Sequence, residues 1–240
     1  MALDGWHSPV VGVLGGLGPA ATVSFLDQLV RFTDAATDQD NLDAIVLQHS
    51  STPDRTQAIL HGAPSPAPSL VADVKRLEAA GADFWVLTCN TAHFFLDDIA
   101  GAVGIPGVSI VQATAQAAVT RAAGGPIAVF ATEGTTATGV YRHEIEQLGG
   151  VVSPIAPDVQ AALTRIIYDQ VKAGRPGDVG LLERCIADTL AAGAHVIALG
   201  CTELSVVYDA AGLDTRPELV DSLRCLALAT IQRAGRRVRV

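Results

Sequence analysis

The chain of 240 residues is long enough for one large domain or two small ones with a substantial core, and its 49% hydrophobic and 17% charged residues describe a globular chain, not a disordered one. A formal net charge of −9 at pH 7 argues against a nucleic-acid or anionic-membrane surface, both of which reward clustered Lys and Arg. It leaves room for a local cationic pocket that would take a small acid.

Short β-rich runs alternate with Ala-rich helical segments, the pattern of an α/β fold with mainly parallel strands. In chain order, the pattern predicts a strand over 10–14, the turn "GGLGP", and a helix over 20–33. A strand over 44–48, a helix over 69–80 and a strand over 84–88 follow, then a strand over 107–109 and a helix over 110–123. Beyond these come a strand over 127–131, a helix over 138–148, a strand over 151–152 and helices over 159–173 and 180–192. A strand over 196–199 and a closing helix over 222–234 complete the series.

No run approaches the roughly 20 apolar residues that cross a bilayer. The opening "MALDGWHSPV" has neither the basic start nor the long apolar segment of a secretory signal. Four cysteines, Cys89, Cys185, Cys201 and Cys225, show no CxxC spacing and are too few for a disulfide scaffold, so the expected location is the reducing cytoplasm.

The chain repeats itself. "AAGADFWVLTCNT" from Ala79 aligns without a gap with "AAGAHVIALGCTE" from Ala191, superimposing Cys89 on Cys201 and Leu87 on Leu199. "PVVGVLGGLGPAA" from Pro9 and "PIAVFATEGTTAT" from Pro126 match in the same way, each giving Pro, a short strand and a small-residue turn. The expectation is two similar α/β lobes related by a pseudo-twofold. Residues 1–123 form the first, with 216–240 returning to it, and 124–215 form the second, the connector being "AAGGPI". Ligands of open α/β sheets bind beyond the carboxyl ends of the strands, so two facing lobes would enclose an active-site cleft with one cysteine from each side.

Cys89 stands at a strand end before Asn90, Thr91 and His93, where helix N-terminal amides favour a thiolate. A lone Cys there would read as a small core hydrophobe, but the matched second cysteine and the polar "CNTAH" favour chemistry. Cys201 repeats the position in "LGCTEL", where Glu203 is either a dipole-favoured helix acid or a group that tunes the thiol. Cys185 and Cys225 fall in apolar helical patterns and read as core.

"GVLGGLGPAAT", "PDRT", "CNTAH", "ATEGT" and "GCTEL", in that order, make the chain resemble the aspartate/glutamate racemase family, closest to its aspartate-racemase branch. The resemblance implies racemisation without a cofactor or metal, by Cys89 and Cys201 acting as acid and base on opposite faces of the substrate α-carbon. It further implies that Asn90, Thr91, Thr132, Thr135 and Thr202 hold the α-carboxylate and amino group. Each of these also suits a helix N-cap. Arg55 of "PDRT" matches the arginine that takes the distal carboxylate, and Lys172 a basic position assisting it. Gly16 of the turn and Glu203 are supporting positions.

Three departures from the family pattern stand out. Leu17 replaces the usual Met of the turn, "QHSSTPDRT" lacks the Asn often found shortly before Pro-Asp-Arg, and Glu203 stands where cell-wall glutamate racemases have His. The choice between aspartate and glutamate is therefore left open.

Other readings compete. "GLGPAA" fits a dinucleotide fingerprint, yet Pro19 lies inside the turn and the next strand ends at Gln48 and His49 with no acid to hold a ribose. Cys89, His93 and Cys201 could ligate a metal, but no zinc signature accompanies them. A two-lobe amino-acid binder is the non-enzymatic alternative. Hydantoin racemases, arylmalonate decarboxylases and maleate isomerases share the architecture within the enzyme class. The expected partners are a small acidic amino acid and a second copy in a homodimer, with no nucleic acid and no membrane.

Overall fold

The computed structural model describes residues 9–239, so most of the segment read for a secretory signal lies outside the described residues. The chain forms two compact units, one comprising residues up to Ile110 together with those from Leu223 onward, the other Val111–Ser222.

The first unit carries a parallel sheet of β1 (Val11–Gly15), β2 (Ala44–Gln48), β3 (Phe84–Leu87) and β4 (Gly107–Val108), in the order β2-β1-β3-β4. The second carries β5 (Pro126–Phe130), β6 (Val151–Ser153), β7 (Val196–Leu199) and β8 (Leu219–Asp221), in the order β6-β5-β7-β8. Every residue of β1, β3 and β7 is buried, as expected of parallel strands covered on both faces. The repeat extends to the register, since Leu14 pairs with Leu87 in one sheet and Phe130 with Leu199 in the other.

The repeated "AAGA" has a local cause. Gly81 (φ +100) and Gly193 (φ +103) adopt the left-handed conformation that ends the helices Ala67–Ala79 and Val179–Ala191. Ala82 N–H then donates to Leu77 O at 3.0 Å and Ala194 N–H to Thr189 O at 3.3 Å, the return bonds of a glycine-closed helix end. Each closure delivers the chain into the strand that leads to a cysteine.

The units divide at Ile110/Val111 and Ser222/Leu223 instead of near 123 and 216. The helix Ile110–Ala122 packs on the second unit, with Val119 against Gly150 and the Arg121 guanidinium donating to Leu219 O at 2.5 Å. Residues 219–221, too short and too near a proline to signal a strand, pair with β7. Gly139 (φ +69) splits the helix expected over 138–148 into Glu133–Thr138 and Val140–Gln147. The helix expected over 159–173 is α-helical at Pro157–Thr164 and becomes a π-helix at Arg165–Val171. Among the described residues, no helix is long and apolar enough to cross a membrane.

Candidate active site

In the first unit, Thr88 N–H donates to Leu14 O at 3.2 Å, so Gly16 and Cys89 leave adjacent strands at the same sheet edge. Gly16 has φ +91, and a Cβ there would lie 2.6 Å from His49 N; only glycine fits this turn. Its N–H donates to Thr22 Oγ1 at 2.9 Å, and that hydroxyl meets Thr88 Oγ1 at 3.3 Å, tying the turn to the residue before Cys89.

Cys89 is buried and free, as are its neighbours Asn90 and Thr91, which open the short 3-10 helix Thr91–Phe95. His93 is buried between two backbone groups. Its Nδ1 lies 2.9 Å from Cys89 O and its Nε2 accepts from Ile110 N–H at 3.2 Å. Both nitrogens are therefore engaged, which fixes the Nδ1–H tautomer. Burial pulls the imidazole pKa down to about 4, against a smaller opposing effect of the Cys89 carbonyl. His93 is thus a neutral bolt between the cysteine turn and the following helix, not a free metal ligand.

Arg55 begins the helix Arg55–His61, which Asp54 caps through Gln57 N–H at 2.8 Å. Its guanidinium is buried and donates to Leu17 O at 2.7 Å, Pro53 O at 3.1 Å and Thr52 O at 3.4 Å. The structure thereby joins "PDRT" to "GGLGP" through a side chain that braces the turn.

In the second unit, Gly200 N–H donates to Phe130 O at 2.8 Å, so Thr132 and Cys201 also leave adjacent strands at one edge. Thr132 caps the helix Glu133–Thr138 by accepting from Thr135 N–H at 3.2 Å, with the two hydroxyls 3.0 Å apart. Both threonines are buried. A pocket of about 470 Å³ between β5 and β6 is lined by Thr135, Ala131, Tyr141 and Pro154, but by neither Cys201 nor Lys172.

Cys201 is the residue before the helix Thr202–Ala210, and Thr202 is buried behind it. The Cys201 thiol donates to Glu203 Oε2 at 3.1 Å, while Glu203 Oε1 lies 3.5 Å from Lys172 Nζ. Lys172 follows the π-helical turn, its N–H donating to Ile167 O at 2.9 Å, and its ammonium lies 5.3 Å from the Tyr168 ring centre. π-turns recur at functional sites because they re-aim a side chain within a helix. Burial raises the Cys201 thiol well above 9.0, and the Glu203 charge adds to this while Lys172 opposes it. Cys201, Glu203 and Lys172 therefore form one charge-linked row, a grouping that sequence spacing could not join.

Cys185 and Cys225 lie in the helices Val179–Ala191 and Ser222–Arg233, and burial raises the Cys185 thiol. Among the described residues, no group of three His, Cys, Asp or Glu side chains is arranged to hold a metal ion.

Paired parallel sheets with a buried cysteine beyond the third strand of each define a two-lobed α/β enzyme of the racemase class. Residues 14–230 match the family model Asp/Glu/Hydantoin racemase, and the chain belongs to that family. It is an isomerase. It is 26% identical to the broad specificity amino-acid racemase RacX of Bacillus subtilis, over 92% of this chain and 96% of that protein. A glutamate racemase of Symbiobacterium thermophilum is 31% identical over 63% of this chain and 56% of its own length. Among solved structures, the Picrophilus torridus aspartate racemase is 26% identical, with a TM-score of 0.80 and 96% of each chain covered.

Proposed function

We propose that the protein interconverts the L- and D-forms of aspartate, glutamate or both, without pyridoxal phosphate, using Cys89 and Cys201 as a pair of acid/base groups. One observation carries the reading. In a chain of the racemase family, a buried free cysteine stands two residues beyond Leu87 of β3 and two beyond Leu199 of β7, equivalent places in two like-ordered sheets.

Racemisation needs one group to take the α-proton and a second, chemically alike, to return a proton on the other face, because the reverse reaction exchanges their roles. In one direction the Cys89 thiolate accepts the α-proton while the Cys201 thiol donates its own, and the protonated Cys89 and deprotonated Cys201 are then set for the reverse. The carbanion formed between these steps is stabilised by donors around the α-carboxylate, the role assigned to Asn90, Thr91, Thr132, Thr135 and Thr202. Those threonines that also cap helices would serve through the same preorganised hydroxyls. Glu203 keeps the Cys201 proton on sulfur until a substrate carboxylate approaches Lys172. Arg55 shapes the turn that receives the distal carboxylate.

The relatives bear names from aspartate and glutamate to broad-specificity racemases, so the test uses a panel. Pure protein, with no added pyridoxal phosphate and with hydroxylamine present, is incubated with each enantiomer of aspartate, glutamate, alanine and lysine, and chirality is followed. Racemisation of aspartate or glutamate is the expected result. Turnover of the neutral or basic amino acids alone would overturn the acidic-substrate reading, and loss of all activity to hydroxylamine the cofactor-free one.

A further inference from the structure

His49 follows the last residue of β2, at the same sheet edge as Gly16 and Cys89. Its N–H donates to Gly15 O at 3.1 Å, and its backbone fills the space that a side chain on Gly16 would need. The ring is not loose. Nδ1 lies 2.6 Å from Oδ2 of Asp73, a carboxylate with no exposed surface on the helix Ala67–Ala79, while Arg76 engages Oδ1 of the same group.

That arrangement has a chemical consequence. With the Nδ1 proton given to Asp73, the ring orientation is fixed, and a proton on Nε2 makes the ring an imidazolium. Imidazolium and Arg76 guanidinium together exceed the single Asp73 charge by one, which leaves a place for one anion. The His49 side chain is 31% exposed, so Nε2 is within reach of a ligand. Arg55, on the same connection, already donates to three backbone carbonyls.

We propose that His49, oriented by Asp73, is a binding residue for the distal carboxylate of the substrate, with Nε2–H as the donor. This rests on the acidic-substrate reading above and makes "QHSSTPDRT" a specificity segment in which the imidazole supplies the polar contact. An imidazolium between a buried carboxylate and an arriving one is a charge-assisted chain that a neutral amino-acid side chain cannot complete.

The test measures binding separately from turnover. Calorimetry on the full chain compares succinate, which carries two carboxylates, with propionate, which carries one, in wild type, His49→Ala and His49→Gln. Succinate affinity is expected to fall about tenfold or more in His49→Ala, the range for a lost charge-assisted hydrogen bond, with propionate affinity and melting temperature little changed. His49→Gln, which keeps a donor without the charge, should fall between. In turnover, the KM for the acidic substrate rises by a similar factor while kcat stays within about threefold, a split that a purely structural role would not give. Unchanged succinate affinity in folded His49→Ala, or no succinate binding by wild type, overturns the proposal even if aspartate is racemised. His49-dependent succinate binding without any racemisation would instead sustain it and remove the racemase reading.

Discussion

The two cysteine turns share a backbone and differ in electrostatics. Beyond Cys89 the chain enters a short 3-10 helix, and the nearby titratable group is a neutral His93 spent on backbone bonds. Beyond Cys201 it enters a regular helix, and the thiol is tied to a carboxylate that is itself tied to an ammonium. Repetition supplies two equivalent acid/base positions, and divergence after the cysteine gives each its own charge environment. A racemase needs both, since its two proton transfers are alike in kind but act on opposite faces of a chiral substrate.

Removing either thiol attacks the shared feature and should have the largest effect. Cys89→Ala and Cys201→Ala should each reduce racemisation about a thousandfold, within the range of a lost acid or base, with the fold retained by circular dichroism. Comparable losses in both would support equivalence; a large loss in one alone would break it.

The next prediction concerns the bolt found only in the first turn. The unfolded chain takes up a proton on His93 near 6.5, whereas the folded chain resists it until about 4. Stability from this site is therefore full above the unfolded value and falls as pH drops towards about 4, by about 3 kcal/mol in all. His93→Gln should flatten that part of the stability profile, as read by urea unfolding at a series of pH values. An unchanged slope would remove His93 as the cause.

A smaller effect is expected of Glu203→Gln, which makes the second turn resemble the first. Without the neighbouring charge the Cys201 thiol should ionise more readily, so alkylation at about pH 8 should accelerate about tenfold, followed by mass spectrometry of the Cys201 peptide. The Cys89 peptide should keep its wild-type rate. The smallest effect returns to the repeat itself. Gly81→Ala and Gly193→Ala should each cost about 1 kcal/mol, and nearly the same amount, because nothing lies within 4 Å of an added Cβ and backbone strain alone remains. Clearly unequal melting-temperature shifts would show that the two helix ends are not equivalent.

Much of this was legible in the sequence. The buried strands β1, β3, β5 and β7 announce themselves as apolar runs, and the Ala-Ala-Gly-Ala closures mark the helix ends that feed two of them. What escaped depends on pairing or long-range contact. The three residues of β8 have no periodicity of their own and are a strand only because β7 offers a free edge. The helix Ile110–Ala122 lies in the part of the chain that sequence assigned to the first lobe, yet its packing sends it to the second. Lys172 was legible as a cation but not as the partner of Glu203, because a π-turn alters the direction that helical spacing would give it. Arg55 was legible as buried chemistry, while its three carbonyl acceptors appear only once two loops are brought together. The His49–Asp73 pair spans a strand end and a helix and has no local signature at all.

The central claim, that two cysteines divide the work by face, is tested most directly by α-proton exchange in D2O. Cys89→Ser and Cys201→Ser are each incubated with the L- and the D-form of whichever acidic amino acid the wild type racemises, and α-deuterium and chirality are read together. The account predicts no racemisation by either variant, with any residual deuterium uptake confined to one enantiomer, the opposite one for the two variants. Racemisation at the wild-type rate by either single variant would contradict it.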